Sequence, residues 1–278
     1  MIATLAEIWA DFSLAASVRR VGAMLLRHLY LMRSSWTRVF DLMYWPVLQL
    51  LIWGFLTNYL ATGSSPLMRA GGLLIGAALL WDVLVRGQFG MTISLLEEMW
   101  SRNFANLFVT PLRPTEFACA LMGMSILRSL IGVLPASLVA IPLFHYSIYT
   151  LGLPLIAFYW MLLMFAWGVG LIICALLVRF GLAAESFAWA SIFVLAPLSG
   201  VYYPIAVLPS WLQPLAWALP ASHVFEGMRA VMFGEGFQVG LFLSAFALNL
   251  VFIALGFAAF LFAFRRARER GQLMGSGE

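Results

Sequence analysis

Residues 151–178 read LGLPLIAFYWMLLMFAWGVGLIICALLV and contain no charged side chain. A helix needs about 20 apolar residues, at roughly 1.5 Å each, to cross the hydrocarbon layer of a bilayer, and this run exceeds that length. The remaining chain agrees with a membrane environment. Of its 278 residues 63% are hydrophobic and 10% charged, against roughly 45–50% and about 25% in a soluble domain. With 16 basic and 12 acidic side chains, charge cannot coat a globule of this size, so the apolar excess faces lipid.

Outward from that run, other segments pass the same length test. Toward the C-terminus a fifth span is expected from Ala183 to about Tyr203 and a sixth from Val239 to Phe264, stopped by Arg265, Arg266, Arg268 and Arg270. Toward the N-terminus a third lies within Thr115–Phe144, expected to be bent or broken at Pro135 and Pro142. Before it, Phe40–Leu60 and Gly71–Leu96 form a hairpin around the turn Thr62-Gly63-Ser64-Ser65-Pro66. Gly72 and Gly76 make a small-xxx-small pair in the second span. The fold class predicted is an all-α integral membrane protein with six transmembrane helices over 40–264.

Two segments depart from simple spans. Leu5, Ile8, Trp9, Phe12 and Ala16 recur at helical spacing, and in Val18–Val39 the residues Arg20, Arg27 and Arg38 share one face of a helical wheel. Residues 1–39 therefore read as an amphipathic interface segment held by anionic headgroups. Glu7 and Asp11 interrupt any apolar signal core, so this segment is expected to stay on the mature chain. Between Pro197 and Pro220, Pro204, Pro209 and Pro214 also interrupt an apolar stretch, which predicts a re-entrant segment of short broken helices over about 204–234, with Ser210 and Ser222 as caps. Such backbone at membrane depth must be buried in protein or line a wet cavity.

Orientation follows from arginine. With both ends cytoplasmic, Arg19, Arg20, Arg27, Arg33, Arg38, Arg102, Arg113, Arg179 and the four of the tail (265–278) lie inside, and only Arg69 and Arg229 outside. All 16 basic residues are arginine, which excludes a Walker A loop and a Schiff-base lysine in this sequence. Cys119 and Cys174, both in apolar stretches, are expected to be core packing, and with His28, His145 and His223 scattered they offer no metal spacing. No catalytic set is indicated, so the chain reads as a transport subunit rather than an enzyme.

Three ionisable groups fall within spans: Asp82, Arg86 and Arg128. Each costs roughly 2.5–3.5 kcal/mol at mid-bilayer and needs a partner or a wet cavity. Asp82 and Arg86, one turn apart, are expected to pair, and Asp82 is the candidate to reach Arg128 and lock two spans together. Glu185 opens the fifth span. Glu226 and Arg229 form an i,i+3 pair, expected to be solvated at the outer rim. The connector 97–113 carries Glu97, Glu98, Trp100, Arg102, Asn103, Asn106 and Arg113 and closes at Pro111 and Pro114, predicting a water-facing helix.

The order of parts, with Glu97-Glu98-Met99-Trp100-Ser101-Arg102-Asn103 before Leu107-Phe108-Val109-Thr110-Pro111, resembles the membrane subunit of type-2 ATP-binding-cassette exporters. The second match is Pro197-Leu198-Ser199-Gly200-Val201-Tyr202-Tyr203-Pro204, continuing through Pro209, Trp211, Pro214 and Pro220 to Glu226 and Arg229. The resemblance implies a permease half in a bacterial inner membrane, partnered by a second copy or a related half and by a separate ATPase dimer that binds ATP and magnesium. This chain then holds no cofactor and no nucleic acid. It implies that the connector is a coupling helix whose Glu97, Glu98, Trp100 and Arg102 touch the ATPase, and that the broken helices line an outer exit for a lipid-linked glycan, lipid or hydrophobic small molecule. The competing reading is a proton-coupled transporter using Asp82, Arg86 and Arg128.

Overall fold

The structure, a computed structural model, describes residues 13–61 and 65–270, and the side chains of all of these except 61, 65–71 and 105. The stripe through Leu5, Ile8, Trp9 and Phe12, most of the Thr62–Pro66 turn, the Arg69 side chain and residues 271–278 lie outside the described residues. Ten helices are described: α1 (Leu14–Arg33), α2 (Trp36–Ala61), α3 (Ser65–Trp100), α4 (Phe104–Leu107), α5 (Pro114–Phe144), α6 (Leu153–Phe180), α7 (Glu185–Leu198), α8 (Gln213–Trp217), α9 (Pro220–Met232) and α10 (Val239–Glu269).

Helix α1 starts where the Ser13 hydroxyl accepts a hydrogen bond from the Ala16 amide at 3.1 Å. It buries Ala16, Met24, His28 and Met32, a single stripe at four- and eight-residue steps. Ser34 and Ser35 end it, so Arg38 belongs to the first turns of α2 and not to the same wheel as Arg20 and Arg27. Helix α5 is continuous through Pro135 and Pro142, contrary to the expected break.

Directions follow from close contacts at glycines. Gly90 of α3 sits on Ser125 of α5 while Gly132 of α5 sits on Arg86 of α3, so these two helices are antiparallel. Gly87 lies on Leu163 and Ala166, and Gly170 on Met91, which makes α3 and α6 parallel. Gly168 lies on Phe252 and Gly256 on Gly168 and Leu171, so α6 and α10 are parallel as well. A Cβ on Gly256 would stand 2.7 Å from the Gly168 carbonyl oxygen, a distance that only glycine at this crossing permits.

Among the described residues five helical stretches are long and apolar enough to cross a membrane: α2, the membrane-length part of α3, α5, the α6–α7 stretch taken together, and α10. The expected separate fifth span is instead the 14-residue α7, which follows α6 through a tight turn at Gly181–Ala184. Fourteen residues rise about 21 Å, less than a bilayer's hydrocarbon thickness. Because α6 and α10 run the same way, residues 181–238 must still return the chain from one end of the bundle to the other. The short helix does part of this, and the stack of Tyr202 on Trp53 (ring centroids 3.8 Å apart) continues it. Phe108 meets Phe264 at 4.4 Å and Arg20 meets Glu116, so α1, the α3–α5 connector and the end of α10 gather at one arginine-rich end.

Candidate functional site

At the arginine-rich end, α3 runs on to Trp100 without stopping at Leu96, which places Glu97 and Glu98 on its last turn. Arg102 adopts a left-handed backbone (φ 51°) and ends the helix, with the Asn103 amide donating to the Glu98 carbonyl at 3.0 Å. The four-residue α4 follows, then a turn in which the Thr110 hydroxyl donates to the Leu107 carbonyl, and Pro114 opens α5. The predicted long connector helix is therefore mostly turn. Phe104 and Leu107 are buried; Phe104 packs on Phe117 and Phe108 on Phe264, so this turn grips α5 and α10 as well as α3.

Three carboxylates bind the elements here. Glu97 accepts from Arg128 Nη2 at 3.0 Å and from Arg38 Nη1 at 3.4 Å. Glu98, fully buried, accepts from Arg27 Nη2 and Asn103 Nδ2, each at 2.9 Å, and its second oxygen lies 3.6 Å from His28 Nε2. Glu116 accepts from Arg20 Nε and Nη2 at 2.9 and 2.7 Å, from the Ser17 hydroxyl and from the Arg113 amide. The bidentate Arg20 contact and the helix N-terminus both favour the Glu116 anion. Arg20 and Arg27 of α1 thus face protein carboxylates, where headgroups had been expected.

These contacts correct several expectations. Glu97 and Glu98 are held inside the chain and are not water-facing docking groups; Trp100, half exposed, and Arg102, exposed, remain on the surface, joined by Val109 at 87% exposure. Arg128 reaches toward the helix end to Glu97 and not to Asp82. Among the described residues Arg86 makes no salt bridge or hydrogen bond, so the Asp82–Arg86 contact pair does not form, although both are buried. Cys119 is exposed, and only Cys174 is core packing.

At the opposite end the broken-helix segment has the expected form, with a short turn at Ile205–Val207 before α8 and α9. Its starts are set by proline, Pro214 near the start of α8 and Pro220 opening α9, and not by Ser210 or Ser222; Ser222 Oγ instead donates to the Leu198 carbonyl at 3.4 Å. Glu226 and Arg229 are no solvated pair. Arg229, with a side chain 5% exposed, donates through Nε to Glu226 at 3.1 Å and through Nη2 to the Gly200 carbonyl at 2.8 Å. Glu226 accepts the Ile205 amide at 2.7 Å. One ion pair with a buried arginine thus clamps the chain leaving α7 onto α9. Pro204, Pro209, Pro214 and Trp211 are exposed, Trp211 at 71%, and Pro220 is buried.

Glu116, Arg20, Arg27, His28 and Arg38 belong to this ion-paired end, and the site assignment from sequence left them out. The available signal was Glu116 three positions after Arg113, the reciprocal cap position at a proline-opened helix, together with the shared wheel face of Arg20 and Arg27.

A helical bundle with apolar flanks, an ion-paired end carrying a solvent-exposed turn and a clamped broken-helix segment at the other end is the architecture of an integral membrane protein. The family model for ABC-2 type transporters matches residues 23–233, and the chain belongs to that family. Similar proteins include the capsule polysaccharide export inner-membrane protein CtrC of Neisseria meningitidis, 41% identical over 80 residues. Another is BexB of Haemophilus influenzae, described in the same words and 39% identical over 77 residues. Each match spans 27% of this chain and 29% of the relative.

Proposed function

We propose that the chain is the permease half of an ATP-driven exporter in a bacterial inner membrane, working as a dimer of such halves on a separate ATPase dimer. Its cargo is a lipid-linked glycan, the class suggested by the capsule polysaccharide export proteins it resembles. The arginine-rich end is then the cytoplasmic one, with both termini on that side.

The observation that carries this reading is the exposed turn of Trp100, Arg102 and Val109, backed by side chains that grip α3, α5 and α10. A push on such a turn moves the packed helices as bodies, because close-packed interiors transmit displacement and do not absorb it. Glu97 and Glu98 serve this arrangement from behind by tying α1 and α2 to the same helix end. The absence of lysine from the sequence agrees with a motor on another polypeptide. The engagement of Arg128 by Glu97 supports this reading over a proton relay through Asp82, Arg86 and Arg128.

Trp100→Ala combined with Arg102→Gly tests the reading. Glycine suits the left-handed backbone at 102, so the fold is expected to hold. Recovery of the ATPase with the tagged chain from detergent-solubilised membranes should fall about tenfold or more, the loss expected from removing a central aromatic anchor and a charge. Undiminished recovery would remove the docking assignment.

A further inference from the structure

Between the start of α2, the last turns of α3 and the middle of α5, with Met32 of α1 beside them, lies a cavity of about 90 Å³, where roughly 10–15 Å³ is enough for one water. Three guanidinium groups line it, Arg38, Arg86 and Arg128, against two carboxylates, Asp41 and Glu97. Glu97 is already shared between Arg38 and Arg128, and Asp41 accepts the Trp45 indole N–H at 3.1 Å. Arg86 is 91% buried, its Nε has no hydrogen-bond partner, and no hydrogen bond reaches its other nitrogens among the described residues. The Nε of Arg128, 95% buried, is likewise unpartnered.

A guanidinium offers five N–H donors in a planar fork, and leaving such donors unmet inside a protein is costly. Asp82 and Asp41 attract Arg86 through space without bonding it. The unmet donors point to a ligand of complementary chemistry: a tetrahedral oxyanion, which a guanidinium fork binds in two places at once. Phe89 and Leu42 supply an apolar wall beside the charges, and the site sits only a few residues inside the start of α2. That combination suits a phosphate attached to an apolar chain.

We infer that Arg86, with Arg128 and Arg38, forms a binding site for the phosphate ester of a lipid, the anchor group of the cargo. The inference rests on the exporter reading only in identifying this lipid with cargo; the site itself needs no ATPase.

Native mass spectrometry of the purified full chain in uncharged detergent, titrated with dioleoyl phosphatidate, dioleoyl phosphatidylcholine and inorganic pyrophosphate, tests it. Phosphatidate should bind in preference to phosphatidylcholine. Arg86→Gln should weaken phosphatidate binding about tenfold, as expected for losing a charge-assisted hydrogen bond, while Arg266→Gln, at an exposed helix end, should leave it unchanged. If Arg86→Gln does not fold, Arg38→Gln, whose side chain is 46% exposed, carries the same expectation. Displacement of phosphatidate by pyrophosphate would support an oxyanion site but overturn the lipid assignment; resistance to pyrophosphate supports the lipid headgroup as the ligand. Equal phosphatidate affinity of wild type, Arg86→Gln and Arg38→Gln would overturn the site. Because the assay omits the ATPase, its failure leaves the exporter reading to be judged by ATPase recovery.

Discussion

Arg229→Met is expected to lower the unfolding free energy of the purified chain by about 2–3 kcal/mol, below the range for a fully buried ion pair because the Glu226 side chain left behind is 20% exposed. Its guanidinium satisfies Glu226 and the carbonyls of Gly200 and Val201, and Glu226 in turn holds the Ile205 amide. Methionine fills much of the same volume but leaves an unpaired carboxylate and open carbonyls at the end of α7. Loss of the clamp frees the residue 199–205 loop, which joins α7 to the broken helices. Thermal unfolding in detergent measures the effect, and the double variant Arg229→Met with Glu226→Leu should recover part of it, because the stranded charge is gone. A melting temperature unchanged by Arg229→Met would show that the clamp contributes nothing to stability.

The second large effect is expected at Glu97. Glu97→Gln leaves Arg128, 95% buried, without its counter-ion, and should cost roughly 3 kcal/mol. The same change loosens Arg38 at the start of α2. Glu97→Leu with Arg128→Met should be less destabilised than the sum of the two single changes by about 1 kcal/mol or more, the coupling of residues that share a contact. Strict additivity would mean that the two side chains act independently. Asp82 with Arg128 should show no such coupling, since Glu97 occupies Arg128.

Which parts of this molecule were legible in the sequence follows from the range of the forces involved. The spans were visible because an uncharged run such as 151–178 has only one cheap environment, and four prolines within 204–220 are too closely spaced for one long helix, whereas the single prolines of α5 are absorbed. The limits of α3 were not, because Glu97 and Glu98 read as the start of a polar connector when their charges are in fact neutralised by residues far along the chain. Arg20 and Glu116 are 96 positions apart, and Arg27 and Glu98 are 71 apart. Nothing local announces such pairings; they depend on how α1 settles against α3 and α5. For the same reason Arg229 looked like half of a solvated i,i+3 pair, although its decisive partners are carbonyls on the far side of the loop. The expected fifth span is shorter as a helix than as an apolar run: the run continues past Leu198, but the helix does not, and Ser199–Tyr202 carry the chain on in turn conformation.

The outer flanks carry large exposed apolar groups, among them Phe187, Phe193 and Val194 on α7 and Phe40, Ile52 and Phe55 on α2. In a bilayer such faces meet lipid or other apolar protein surface, and neither requires polar groups of its own.

The central claim is that a separate ATPase pushes on the turn between α3 and α5. A photoreactive amino acid placed at Val109, the most exposed apolar side chain of that turn, tests this most directly in intact membranes. A cross-link from position 109 to a nucleotide-hydrolysing protein, diminished when Trp100 and Arg102 are also replaced, is the expected result. Absence of any such cross-link, together with ATP hydrolysis by the purified chain alone, would contradict it.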